Sequence, residues 1–129
     1  MLRIMSLPIS IMRSLIGGSM NFSLEEQKVG TWIDGKPVYQ ITVEGTTAPL
    51  NSQVSIHKGT LEHLDIEKVV SIDGMLNYSY YINYSNSASQ CLYVFYDHKT
   101  CTIQNYNYSV ESMSNLSCCV TIWYTKKSD

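Results

Sequence analysis

The dipeptide Asp34-Gly35, which separates two runs of alternating apolar and polar residues, is the feature that most constrains the fold. Asp-Gly supplies the two positive φ values of a type I′ turn, so it predicts a two-residue β-hairpin between residues 29–33 and 36–43. Such a turn places Trp32 opposite Pro37. Because side chains alternate between the two faces of a strand, one core-facing set is predicted: Trp32, Pro37, Tyr39, Ile41 and Val43.

Six further short segments have the composition of strands and are bounded by Gly, Asn, Asp, Ser or Lys: residues 53–56, 69–76, 78–84, 91–96, 101–106 and 117–125. Ten Tyr and many Ser, Asn and Thr also favour strands over helices. About eight short strands predict an all-β fold, an antiparallel β-sandwich of jelly-roll type. We expect residues 23–129 to form it as a single domain.

Alternation along these segments also predicts which side chains form the core: Val70, Ile72, Tyr80, Ile82, Tyr84, Leu92, Val94, Tyr96, Cys118, Val120, Ile122 and Tyr124. The opposite faces are not uniformly polar. Tyr93 and Phe95 lie behind Leu92 and Val94, and Trp123 lies behind Ile122. Some second face is therefore expected to be covered by another sheet, a loop or another subunit.

Residues 1–22 are predicted to be a leader or upstream extension that is poorly ordered. Residues 1–20 contain two Arg and no acid, and their apolar residues are interrupted by Pro8 and Arg13. A signal peptide needs an unbroken apolar core and a spanning helix needs about 20 apolar residues, so neither is expected here. We expect no insertion into a membrane, and a translation start at Met20 is the preferred explanation of this stretch.

The net charge of −2 provides no basic surface for a nucleic-acid backbone, so no nucleic-acid partner is expected. The four cysteines form neither a CxxC pair nor a zinc pattern with histidine. A disulfide between Cys91 and Cys101 is geometrically conceivable, but free, mostly buried thiols are favoured because a core of this size needs no covalent link.

Motifs for catalysis and for cofactors are missing from the sequence, and we expect neither an enzyme nor a bound cofactor or metal. Asp97, His98 and Cys101 resemble a nucleophile set, but they are better explained as polar residues of one turn. The cluster His57, His63, Asp65 and Glu67 is interpreted as a solvated loop.

Tyrosines mixed with asparagines in the second half of the chain are the best candidates for binding a ligand. Rigid aromatic faces beside amide donors and acceptors suit shallow recognition of sugars or proteins. The alternative is that Tyr simply builds strands whose hydroxyl groups lie at the wet boundary. The candidate ligand-binding residues are Tyr78, Tyr81, Asn83, Asn105, Tyr106 and Tyr108.

Residues 23–40, SLEEQKVGTWIDGKPVYQ, resemble a motif of phage and prophage proteins of Gram-positive and gut bacteria, E-x-x-x-G-x-W-I-D-G-K-P-x-Y. In those proteins the motif opens a C-terminal or free-standing β domain of tail-fibre, receptor-binding or other virion-surface proteins. Residues 54–59 and 66–74 and the ending at residues 120–129 also look like this group. The resemblance implies a homotrimer that contacts other virion proteins, and it carries over no catalytic residues.

The leading hypothesis is therefore a virion-surface module that binds a host-surface glycan or protein. Such a protein would be made in the cytoplasm of a bacterial host and located on a tail or head fibre. One alternative is a structural fibre or head-decoration protein without a receptor of its own. A second alternative is a bacterial carbohydrate-binding module outside any virion.

Overall fold

The computed structural model describes residues 22–57, 59–76, 80–81, 84–87 and 90–129, with the backbone alone for residues 75–76, 80–81 and 84–87. The described strands are β1 (Gln27–Thr31), β2 (Pro37–Thr46), β3 (Ser52–Ser55), β4 (Ile66–Leu76), β5 (Tyr80–Tyr81), β6 (Tyr84–Ser87), β7 (Gln90–Asp97), β8 (Thr102–Tyr108) and β9 (Ser117–Lys126). The helical segments in these ranges are two short 3-10 turns, Glu62–Leu64 and Glu111–Met113.

The strands form two antiparallel sheets, which confirms the predicted all-β, sandwich class of fold. A five-stranded sheet has the order β1-β2-β9-β4-β5, and a four-stranded sheet has the order β3-β8-β7-β6. Strands distant in sequence pair in both sheets, β2 with β9 and β3 with β8. The predicted strand at residues 78–84 is divided, because β5 lies in the first sheet and β6 in the second.

The chain separates into two compact units, which we describe one at a time. The hairpin unit contains described residues 22–42 with Leu64–Asp73 and Thr121–Asp129. The tyrosine-sheet unit contains the described residues of Val43–His63 and Gly74–Val120.

The turn between β1 and β2 differs from the predicted type I′ turn. The Gly35 amide donates to the Trp32 carbonyl at 2.9 Å and the Trp32 amide donates to the Lys36 carbonyl at 2.8 Å, so the loop has three residues. Within this turn, only Gly35 has a positive φ, of 90°. The Asp34 carboxylate accepts the Lys36 amide at 3.0 Å. This is the three-residue alternative, a type I turn followed by a left-handed residue.

The longer loop shifts the register of the hairpin by one residue, so that Thr31 rather than Trp32 lies opposite Pro37. The predicted register and the predicted position of Trp32 are therefore wrong. Trp32 packs against the cluster that contains Val38, whose side chain alternates with those of Pro37 and Tyr39. Ile41 and Val43, from the predicted core set, are buried as expected, whereas Pro37 and Tyr39 are half-buried.

A small apolar cluster fills the interior of the hairpin unit. Val38, Val70 and Trp123 form it, and Trp123 is 1% exposed. The chain's own Phe22, Val29 and Trp32 pack against this cluster and are partly buried. The expected cover over Trp123 is thus supplied, at least in part, by the segment that leads into and forms the hairpin.

In the remaining strands, most of the predicted core is observed. The buried members are Val70, Leu92, Val94, Cys118, Val120, Ile122 and Tyr124, while Ile72 and Tyr96 are half-buried. Tyr80, Ile82 and Tyr84 fall outside the side chains that the structure describes. In β8 the buried residues are Ile103, Asn105 and Asn107, a set that includes two amides.

Candidate functional site

The outer face of the four-stranded sheet carries a set of aromatic side chains. Its register follows from the pairing of β7 with β8, in which Tyr93 lies opposite Tyr106, Phe95 opposite Gln104 and Cys91 opposite Tyr108. The residues that alternate with them, such as Leu92 and Val94, point inward and are buried. Alternation therefore places Tyr93, Phe95, Tyr106 and Tyr108 together on the opposite face, and we call these four residues the aromatic row.

The four rings are neighbours along a diagonal of the sheet. The centroids of Phe95 and Tyr93 are 6.1 Å apart, those of Tyr93 and Tyr106 are 5.5 Å apart, and those of Tyr106 and Tyr108 are 6.2 Å apart. The ring planes of successive members differ by 19° to 35°. Tyr93 and Tyr108 are each 42% exposed, so the row presents aromatic surface to solvent.

Uncharged polar side chains border the row. Gln53 on β3 lies opposite Tyr106, and its Nε2 donates to Oε1 of Gln104 at 3.4 Å. Gln104 in turn donates from Nε2 to the Thr102 hydroxyl at 2.7 Å. Each amide has two N–H donors and a carbonyl with two lone pairs, so one such bond leaves capacity for hydrogen bonds to a ligand.

The buried side chain of Asn105 holds the inner side of this sheet in place. It is 0% exposed; its Oδ1 accepts the Ala48 amide at 2.7 Å and its Nδ2 donates to the Tyr93 carbonyl at 2.9 Å. The prediction that Asn105 binds a ligand is therefore wrong, because both polar atoms of its side-chain amide are hydrogen-bonded to backbone groups inside the protein. It acts instead on the backbone of a member of the aromatic row.

Asn107 has an equivalent role two residues further along β8, on the same inward-facing side. Its Nδ2 donates to the carbonyls of Ala48 at 3.2 Å and Val110 at 3.0 Å, and its Oδ1 accepts the Val110 amide at 3.0 Å. The two asparagines thus connect β8 to the segment after β2 and to the segment after β8. They fix the strand from which Tyr106 and Tyr108 project.

An open depression of about 490 Å³ lies next to the end of β8 and the start of β7, and no member of the row lines it. It is lined by Gln90, Ser109, Val110, Glu111 and Ser112. Its position follows from the chain, because Ser109 succeeds Tyr108 and Gln90 precedes Cys91, the partner of Tyr108. The Ser109 amide and hydroxyl donate to Oδ1 of Asn51 at 2.7 Å and 3.2 Å, which holds this wall in place.

Two of the six predicted ligand-binding residues, Tyr106 and Tyr108, are members of the row. The backbone of Tyr81 lies in β5, in the other sheet, and its side chain is outside the described part. Tyr78 and Asn83 also lie outside the described residues. Sequence reasoning missed Tyr93 and Phe95 as site residues, although the alternation of Tyr93 with Leu92 was a signal for them.

The residues considered for nucleophilic chemistry lie at the turn between β7 and β8. Cys101 has a φ of 55°, and its Sγ contacts the His98 carbonyl at 3.8 Å, while the His98 ring meets Tyr96 edge-on at 4.8 Å. The Asp97 carboxylate accepts the Lys99 amide at 2.9 Å. These contacts are those of polar turn residues.

Two carboxylates of the cluster interpreted as a solvated loop, Asp65 and Glu67, bond to neighbouring groups of the hairpin unit, and Glu67 lies in β4 rather than in a loop. Asp65 Oδ2 accepts the Ser128 amide at 3.0 Å, and Glu67 Oε1 accepts Lys36 Nζ at 2.7 Å and the Thr125 hydroxyl at 3.0 Å. The bonds from Lys36 and Thr125 hold the pKa of Glu67 below its usual range. In the described ranges, His, Cys, Asp and Glu form no group of three or more that would hold a metal ion.

All four cysteines are free thiols, as favoured from the sequence, but only Cys118 is buried and the other three are half-buried, so the expectation of mostly buried thiols is wrong. Burial raises the pKa of the Cys118 thiol to about 12, so this residue remains a neutral, packed side chain at physiological pH. Across the described part of the chain, no helix has the length and apolar character needed to cross a membrane.

Comparisons of the chain with protein-family models, curated proteins and solved structures found no match. The resemblance of residues 23–40 to a virion-surface motif therefore stays a prediction. The argument for function depends on the aromatic row and its polar border.

Proposed function

We propose that the chain is a virion-surface module of a phage or prophage, of tail-fibre or receptor-binding type, which attaches to a component of the host surface. The observation that carries the proposal is the aromatic row, four neighbouring rings on one sheet face with polar amides beside them. Aromatic side chains offer large contact areas at low entropic cost, and exposed ones are enriched in binding surfaces. The virion location comes from the resemblance of residues 23–40.

Assembly as a homotrimer with other virion proteins belongs to the same proposal. Its support is the resemblance alone. The buried Trp123 adds nothing to it, because Phe22, Val29 and Trp32 of the same chain pack against the cluster that contains Trp123. The aromatic row, in contrast, belongs to the tyrosine-sheet unit and is the surface that we assign to the host.

A binding assay on whole cells tests the proposal. The full chain is labelled and incubated with a panel of Gram-positive and gut bacteria, beside the double variant Tyr93→Ala/Tyr108→Ala. Ile33→Ala is the matched control, since Ile33 is 88% exposed and lies in the hairpin loop away from the row in sequence. We expect binding to at least one strain by the wild type and the control, and a loss of about tenfold or more in the double variant.

Folding of each variant is checked by circular dichroism before binding is compared. A folded wild-type chain that attaches to none of the strains, yet is incorporated normally into particles, contradicts the proposed attachment. That result favours the structural fibre or decoration protein instead.

A further inference from the structure

We infer that the ligand of the aromatic row is an uncharged glycan, bound as an extended chain along the four rings. The inference rests on the proposed attachment function and names its ligand. It depends on three properties of the surface, namely its shape, its charge and its area.

The shape of the row suits a chain of similar, partly apolar units. Successive rings from Phe95 to Tyr108 are spaced by 5.5 to 6.2 Å, so the aromatic strip continues in one direction across β7 and β8. Sugar rings have C–H groups on their faces and hydroxyl groups at their edges. Their faces match the strip, and their edges match the amides of Gln53 and Gln104 and the tyrosine hydroxyls.

The charge of the surface favours a neutral ligand. Strands β3, β7 and β8 contain no Lys or Arg, and the one acid among them is Asp97, at the turn end of β7. A nucleic acid or an anionic glycan would be expected to contact cationic side chains, which supply most of the affinity for a polyanion. Stacking on aromatic rings does not require that charge.

The area of the row is small for a protein partner. Tyr93 and Tyr108 are 42% exposed and Phe95 and Tyr106 are half-buried, so the four side chains present about 300 Å² in total. A stable protein–protein interface buries about 800 Å² on each partner. A second copy of this chain therefore cannot be held by the row alone. A patch of this size is appropriate for a few sugar units.

The length of the strip determines how many sugar units can contact it. Its four rings follow one another at centroid distances of 5.5 to 6.2 Å. Binding is therefore expected to strengthen as the oligosaccharide becomes long enough to contact all four rings.

Isothermal titration calorimetry on the full chain tests the inference. The probes are neutral oligosaccharides of glucose, mannose, galactose and N-acetylglucosamine, each as a disaccharide and a hexasaccharide, with hexagalacturonate as the acidic comparator. We expect at least one neutral hexasaccharide to bind more tightly than its disaccharide and than hexagalacturonate. Tyr93→Ala and Tyr108→Ala should each raise its Kd about tenfold, which corresponds to ~1.4 kcal/mol.

Conservative and remote variants separate ring contact from misfolding. Tyr93→Phe keeps the ring and should retain the Kd within about twofold, because stacking is the main contribution. Ile33→Ala should leave the Kd unchanged. Equal Kd values for Tyr93→Ala and the wild type, with both folded, would overturn the assignment to the row.

The outcomes distinguish this inference from the proposed function. Cell binding that depends on Tyr93 and Tyr108 without affinity for any neutral probe overturns the glycan inference and leaves attachment standing, with a protein receptor. Affinity for a neutral probe without cell binding overturns attachment and leaves the glycan site. Light scattering that shows a loss of oligomer mass in Tyr93→Ala/Tyr108→Ala would instead make the row a contact between copies of the chain.

Discussion

The two units of this chain depend on different polar interactions. The hairpin unit has partly exposed ion pairs, Lys36 with Glu67 and Lys126 with Glu26, each at 2.7 Å. The tyrosine-sheet unit has neutral amides in its interior, where Asn105 and Asn107 are both 0% exposed. Paired charges thus stabilise the first unit, while hydrogen bonds without net charge support the sheet beneath the aromatic row.

This difference has an energetic consequence. An exposed ion pair contributes little to stability because solvent and salt weaken it. A buried amide contributes more to the cost of its removal, since each backbone partner left without a hydrogen bond is stranded away from water. We therefore expect the tyrosine-sheet unit to be the less tolerant of substitution.

The largest contrast is expected at two glycines, one in each unit. A methyl group on Gly45 would lie 1.7 Å from the carbonyl oxygen of Ile56, whereas a methyl group on Gly30 would meet nothing within 4 Å. We expect Gly45→Ala to lower the free energy of unfolding by about 4 kcal/mol or to prevent folding. Gly30→Ala should change it by less than about 1 kcal/mol. Urea denaturation measures both, and similar midpoints for the two variants would remove this contrast.

The second contrast compares a buried amide with a half-buried cation. Asn107→Ala removes three hydrogen bonds and leaves groups of Ala48 and Val110 without their partner, so a loss of about 3 kcal/mol is expected. Lys126→Met removes the pair with Glu26 and the contact of Lys126 Nζ with the Tyr39 ring at 4.7 Å, and it should cost about 1 kcal/mol. Urea titrations at low and high salt provide the measurement. Only the cost of Lys126→Met should depend on salt, and a salt-dependent cost for Asn107→Ala contradicts the assignment.

The smallest contrast concerns pH. Lys36 and Thr125 hold the pKa of Glu67 below its usual range, so the folded state favours the carboxylate more than the unfolded chain does. This stabilisation is complete above the ordinary pKa of a glutamate and is lost as pH falls through the lowered pKa. Glu67→Gln should therefore lower the Tm at neutral pH and approach the wild type in acid. Glu44→Gln, at an exposed position of the tyrosine-sheet unit, is the control and should show no such convergence.

Local patterns predicted the class of fold well because they depend on near neighbours. Asp34-Gly35 located the hairpin correctly. It did not determine the register, because Asp-Gly suits both a two-residue turn and a three-residue loop with Gly35 alone at positive φ. The choice involves the Asp34 carboxylate, which accepts the Lys36 amide.

The candidate site was predicted only in part, since it depends on pairing between distant segments. The sequence predicts a ligand-binding amide at Asn105, since it lies among tyrosines in the second half of the chain. Its burial depends on Ala48, which is 57 residues away in sequence. Ile103 lies two residues before Asn105, on the same face of the strand. Because residues on one face share an environment, Ile103 indicates a buried position for Asn105. Tyr93 was assigned to a covered face, although its cross-strand partner is Tyr106 and it remains partly exposed.

The apolar cluster of the hairpin unit has a further consequence for spectroscopy. Trp32 and Trp123 are the two tryptophans of the chain, and both belong to this unit. The tyrosine-sheet unit contains none, so selectively excited tryptophan emission observes one unit and circular dichroism observes both. The two tryptophans therefore report selectively on the hairpin unit. Gly45→Ala lies in the tyrosine-sheet unit. If it shifts the unfolding midpoint measured by tryptophan emission as much as the midpoint measured by circular dichroism, the two units unfold as a single cooperative block.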